Sequence, residues 1–210
     1  METIEYLGKI LNPISIFIAS IVAILGISKW RRETKWQKRY LLAEEVLTLI
    51  YEAEEAFKTL RNPWNHPEEG KSKLTDSPAD KERKFLSYYI LLERYDKCQE
   101  PFIKLRSLKY RFMAIYGKEH EELFKRHTTL LNELFASAVS LDKTYWPNQG
   151  VKQWANDGQF QKHLDEMHRH EDIIWGLGEN DIFGQKITDV TKAFELTCGK
   201  IIKEHWKDIF

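Results

Sequence analysis

Between Lys9 and Lys29 the chain carries no charge: residues 10–28 read ILNPISIFIASIVAILGIS and are followed at once by KWRRETKWQKR. An uncharged apolar run of about 18 or more residues is long enough to cross a hydrocarbon core of roughly 30 Å as a helix. Ile10, Leu11, Ile14, Ile16, Phe17, Ile18, Ile21, Val22, Ile24, Leu25 and Ile27 each favour insertion by about 0.3–0.6 kcal/mol, and Asn12, Pro13 and Gly26 oppose it, so the margin is modest. Asn12-Pro13 predicts the helix start, because Asn caps well and Pro at the first helical position gives up only an amide that has no partner there.

The flanks set an orientation. Lys29, Arg31, Arg32, Lys35, Lys38 and Arg39 follow the run, while only Lys9, with Glu2 and Glu5, precedes it. Basic residues stay on the cytoplasmic side, so residues 1–9 are expected outside as a short N-terminus and everything after Trp30 inside. Trp30 and Trp36 suit the headgroup level, and with Arg31, Arg32 and Lys35 form a predicted interface that anionic lipid attracts. A cleaved signal peptide would place its basic residues before the apolar run, the reverse of this order. A buried helix of a soluble protein is the other alternative, disfavoured by the run's length and one-sided basic flank.

Of the 210 residues, about 180 remain for a body, enough for one domain with its own core. Equal numbers of acidic and basic residues give no argument for nucleic acid as a partner. Cys98 and Cys198 lie far apart on apolar stripes with no CxxC, which reads as two reduced core thiols in a reducing compartment. Few glycines and prolines and no period-2 alternation leave strands without support. The predicted fold is all-α: one N-terminal transmembrane helix continuous with a cytosolic antiparallel bundle of four to five helices.

In order, residues 29–61 form the basic juxtamembrane region and first bundle helix. Trp36, Tyr40, Ala43, Leu47, Ile50 and Phe57 continue a stripe to Leu60, and Asn62-Pro63 breaks it. Residues 62–78 read as an exposed flexible loop, with Trp64 and His66 as a candidate partner contact. Residues 79–210 hold the remaining helices. The next is expected from Ser77-Pro78 to Gly117, with Tyr88, Leu91, Tyr95, Cys98, Phe102, Leu105, Phe112 and Tyr116 inward and a kink at Pro101. Others are expected over 118–146, 159–175 and 183–206.

Three constellations merit attention as chemistry. His163, Glu166 and His170 sit three and four residues apart, a spacing that suits a zinc-like ion. Leu164, Met167 and Ile174, however, define the core direction, leaving His163 and His170 on one solvated shoulder and His168 on the other. The Glu-x-x-His pairs of di-iron bundles are missing. His127 occupies a core position and is expected to be hydrogen-bonded, with tyrosines of the preceding helix as neighbours. Lys97, Lys104 and Arg111 recur every seven residues as a candidate strip for an acidic partner or anion.

The NP-opened anchor, the WRR patch, AEEVL followed by YEAEEAF and RNP, then ERYDK and LKYRFMAIYGKE, resemble a group of uncharacterised bacterial single-pass membrane proteins across most of the chain. The resemblance implies a bacterial plasma membrane and no activity. With no catalytic motif or cofactor signature, the sequence points to a non-enzymatic interaction or regulatory module whose partner is another protein or a second copy of itself. A metal-dependent enzyme or metal sensor on His163–Asp172 is the alternative.

Overall fold

The computed structural model describes the backbone of residues 2–77, 85–150, 154, 156–177 and 180–209, and the side chains of residues 15–203 within those ranges. Among the described residues the regular structure is entirely helical. Six α-helices follow one another: α1 (Glu2–Leu60), α2 (Ser87–Cys98), α3 (Glu100–Tyr116), α4 (Glu121–Ser140), α5 (Asp157–Trp175) and α6 (Ile182–Ile209).

α1 is one helix of 59 residues. It does not open at Asn12-Pro13. Pro13 lies inside it, which costs one i→i−4 hydrogen bond and does not end the helix. Within α1 the buried stripe is Leu42, Ala43, Val46, Leu49, Ile50, Ala53, Phe57 and Leu60, while Leu47 is only partly buried. The core face is thus turned from the Trp36, Tyr40, Leu47 line expected from the sequence, and those three sit on its shoulder. α3 and α6 pack on this face, both antiparallel to α1. Arg111 approaches Glu45 while Tyr116 donates to the Arg39 carbonyl, and Asp181 pairs with Arg61 while Tyr51 donates to Glu195.

An aromatic chain fills the centre. Phe57 meets Phe102 edge-on at 5.2 Å, Phe112 meets Phe124 at 5.4 Å, and Phe124 meets Phe194 edge-on at 5.1 Å. Edge-to-face pairs of this kind add about 0.5–1.5 kcal/mol beyond the area they bury.

Two buried arginines tie the helix ends together. Arg61, the residue after α1, donates from Nε to the Ile173 carbonyl and from Nη2 to the Asp172 carbonyl at the end of α5, and reaches Asp181 with both terminal nitrogens at 2.6 and 2.8 Å. Helix C-terminal carbonyls have no partner of their own, and a cation there also complements the helix dipole. Gly176 makes the approach possible. Its φ of 61° is left-handed, and an added Cβ would lie 2.7 Å from Arg61 Nη2. Arg94 does the same for α1: it donates to the Leu60, Asn62 and Trp64 carbonyls and is bidentate to Glu69.

These contacts correct the picture of 62–77 as a flexible loop. The Gly70 N–H and the Ser72 hydroxyl both donate to Glu93, and Lys73 pairs with Asp96. Ser72, Gly70 and Lys97 together hold the Glu93 carboxyl down at about 2. The loop is exposed but fastened along α2.

Three helix boundaries also differ from expectation. Ser77 is a bend, Pro78 lies outside the described residues, and α2 starts at Ser87, where the carboxylate of Asp142 accepts from the backbone N–H groups of Ser87 and Tyr88. A buried carboxylate from another helix thus does the work of an N-cap. At Pro101 the helix is interrupted at Gln99 rather than merely kinked, because proline cannot donate to the carbonyl four residues back. Gln99 keeps αR geometry (φ −74°, ψ −17°), and the apolar stripe continues into α3. The third predicted helix closes with a π-turn over Leu141–Tyr145 and a 3₁₀ turn over Trp146–Asn148. The extra residue of a π-turn shifts the register, turning both Leu141 and Asp142 inward.

Candidate functional site

Above the bundle, α1 continues as an uncovered apolar rod. Ile16, Phe17, Ile18, Ile21, Val22, Ile24, Leu25 and Ile27 are 42–68% exposed, and they surround the helix rather than lining one face. A monomer in water seldom exposes an apolar patch beyond a few hundred Å². Ser20 satisfies itself by donating to the Ile16 carbonyl, so the segment presents little unpaired polarity. Among the described residues no helix is long and apolar enough to cross a membrane. The described side chains begin at Ser15, and residues 10–14 of the predicted span lie outside them.

Trp30, Arg31, Arg32 and Lys35 are exposed, and Trp36 is half-buried against Tyr40 with ring centroids 5.1 Å apart. Lys29, Arg31, Arg32, Lys35 and Lys38 form no ion pair among the described residues.

The histidine segment is built differently from the expectation. His163 is buried and His170 partly buried, so the inward face of α5 runs through His163, Met167, His170 and Ile174 rather than leaving the histidines on a solvated shoulder. Both rings pack on Tyr145 of the π-turn, at 5.2 and 5.0 Å, and His163 also meets Trp154 at 4.4 Å. His163 Nε2 faces the Tyr145 carbonyl at 3.2 Å, and His170 Nδ1 faces Ser137 Oγ at 3.0 Å. Glu166 is not with them; it pairs with Arg169 on the surface. Among the described residues no group of three His, Cys, Asp or Glu is placed to hold a metal ion. Burial lowers the His170 pKa, which suits a neutral ring packed on a phenol.

His127 is a core residue, as its position predicts, but its neighbours are phenylalanines. It stacks on Phe102 at 5.6 Å and meets Phe57 edge-on at 5.8 Å, and its Nε2 finds no hydrogen-bond partner among the described residues. Of the tyrosines expected beside it, Tyr95 packs instead on Phe102 and Phe135. Burial pushes the His127 pKa down to about 4 from 6.5. The folded state therefore resists a proton that the unfolded chain accepts: this histidine costs nothing above pH 6.5, and stability falls as pH drops from 6.5 toward 4. About 2–3 kcal/mol of stability is expected to go over that window, and His127→Leu is expected to flatten it. Urea denaturation at pH 7 and pH 4.5 measures both slopes; equal pH dependence in the variant would contradict the assignment.

The candidate anion strip is neutralised within the fold. Lys97 pairs with Glu93, Lys104 with Glu100, and Arg111 lies 4.0 Å from Glu45. Trp64 is 85% exposed at the head of the fastened loop, with its carbonyl held by Arg94. Both cysteines are free thiols, and burial pushes Cys198 up to about 12, an inert core group. Sequence reasoning missed the roles of Arg61, Arg94 and Asp142, each of which acts on backbone groups far away in the chain.

No known protein family, curated protein or solved structure matches the chain.

Proposed function

We propose that the chain is a membrane-anchored helical-bundle protein that acts without catalysis, as an interaction or regulatory module at the inner face of a bacterial plasma membrane. The observation that carries this reading is the upper half of α1, apolar on every side, exposed from Ile16 to Trp30, and continuous with the helix whose lower half is buried in the bundle. Leaving such side chains in water forgoes about 1.5–3 kcal/mol each, and a bilayer removes that penalty without needing a matching protein groove. The basic flank after Ser28 supports an orientation with the bundle on the cytoplasmic side and the N-terminus outside.

The interaction role rests on Trp64. A large aromatic presented on a loop held by Arg94 and Glu93 loses little freedom when a partner's pocket takes it. Trp64→Ala is expected to leave stability within about 0.5 kcal/mol and to reduce capture of the partner, whether a second protein or another copy of this chain.

Fractionation of cells expressing the full chain, with a reporter fused after Phe210, tests the anchor and its orientation together. The reading expects the chain to stay in the membrane pellet after alkaline carbonate, with the reporter behaving as cytosolic. Release by carbonate contradicts the anchor, and periplasmic reporter activity contradicts the orientation.

A further inference from the structure

The basic run after the apolar rod is arranged on one side of α1, and on a particular side. Arg31, Arg32, Lys35, Lys38 and Arg39 fall within about 120° of arc at 3.6 residues per turn. Each stands eleven positions, close to three whole turns, ahead of a buried residue: Leu42, Ala43, Val46, Leu49 and Ile50 in the same order. The cations therefore share the face that α3 and α6 cover lower down. The acid in the run, Glu33, stands eleven positions ahead of exposed Glu44 and faces away.

At the lower end of this face the bundle is already in contact. The Arg39 guanidinium lies over the Tyr116 ring at 5.2 Å, and the Tyr116 hydroxyl donates to the Arg39 carbonyl. From Ser28 to Arg39 the helix rises about 16 Å. A headgroup layer takes up roughly 5–7 Å of that on each side of a bilayer, and the remainder is close to one Debye length at physiological salt. The face thus overhangs a notch between headgroups above and the end of the bundle below.

We infer that Arg31, Arg32, Lys35 and Lys38 form a binding face for anionic lipid headgroups on the bundle side of α1, drawing phosphate groups into that notch. The inference rests on the membrane reading and names the lipid class and the face. Charge complementarity supports it, since these four cations have no acid to pair with among the described residues, whereas Lys97 and Lys104 do. Continuity supports it as well: the face begins where the apolar rod ends.

The test uses the full chain in bilayer nanodiscs of phosphatidylcholine containing trace spin-labelled phosphatidylglycerol or spin-labelled phosphatidylcholine, with the motionally restricted lipid fraction read by electron paramagnetic resonance. Wild type is expected to prefer the anionic lipid about fivefold, falling toward one in 1 M salt. Arg31→Gln, Arg32→Gln, Lys35→Gln and Lys38→Gln together are expected to abolish the preference. A second variant adds Glu33→Lys and Gln37→Lys, restoring three of the four lost charges on the opposite face, and is expected to recover little of it. No preference in wild type, or full recovery in the relocated-charge variant, would overturn the inference while leaving the anchor intact. A chain that enters nanodiscs of neither composition would overturn the anchor and this inference with it.

Discussion

A fragment beginning at Trp36 is expected to be soluble and to unfold in one sharp transition, whereas one beginning at Ser77 is expected to be molten or aggregated. The difference lies in the lower half of α1. Leu42, Val46, Leu49, Ile50, Phe57 and Leu60 are at most 5% exposed, and α3 and α6 pack directly on them. Six such side chains bury apolar surface worth roughly 9–18 kcal/mol at about 1.5–3 kcal/mol each. That equals or exceeds the 5–15 kcal/mol of net stability typical of a whole domain. Truncating Phe57 alone, at 1% exposure between Phe102 and His127, costs about 3–5 kcal/mol. Thermal unfolding by circular dichroism compares the two fragments; equal, sharp transitions would show that the lower half of α1 is only a stalk.

Arg61→Met is the second large effect. The guanidinium is 9% exposed and has four hydrogen bonds, two to α5 carbonyls and two to Asp181. Removing one member of a buried pair typically costs 3–5 kcal/mol, because its partners are left desolvated. Asp181 keeps 37% of its side-chain surface in water, so about 3 kcal/mol is expected, a fall in Tm of roughly 6–12 °C for the Trp36 fragment. Arg61→Lys is expected to rescue little, since one ammonium cannot serve two carbonyls and both carboxylate oxygens. Unchanged melting in Arg61→Met would contradict the account of this corner.

The same corner sets an acid limit. Hydrogen bonds from Arg61 hold Asp181 below the ordinary carboxylate range, and Arg94 does so for Glu69. A depressed folded-state pKa contributes stability that is present at neutral pH and lost as pH falls through that lowered value. These two pairs therefore hold through the ordinary carboxylate range and give way only at pH values below it.

How much of this was legible in the sequence depends on the range of the interaction concerned. The all-helical class, the break at Asn62-Pro63 and the helix end at Trp175 follow from local periodicity and from residues that cannot continue a helix, and all appear in the structure. The register of α1 was harder to read: Tyr40, Ala43, Leu47 and Ile50 give an acceptable helical stripe, yet contact with α3 and α6 selects the neighbouring line through Leu42, Val46 and Leu49. The long-range polar ties left no local signal. Arg61 and Asp181 are 120 residues apart, and Asp142 caps a helix 54 residues earlier. Asp142 also reaches that position through a π-turn, whose extra residue breaks the wheel used to place it. His163 and His170 were misplaced for a related reason. An aromatic pocket around Tyr145, formed by another helix, accepts imidazoles that a wheel based on leucine and methionine assigns to water.

The central proposal is that the one unbroken helix α1 carries membrane attachment into the core of the bundle. Hydrogen exchange of the full chain in bilayer nanodiscs, followed peptide by peptide along α1, tests it most directly. The account predicts contiguous protection from Ser15 to Leu60, with residues 29–41 slower to exchange than an unstructured linker by several orders of magnitude. Rapid exchange confined to residues 29–41, between a protected apolar segment and a protected bundle, would mean a hinge where the account requires a rod.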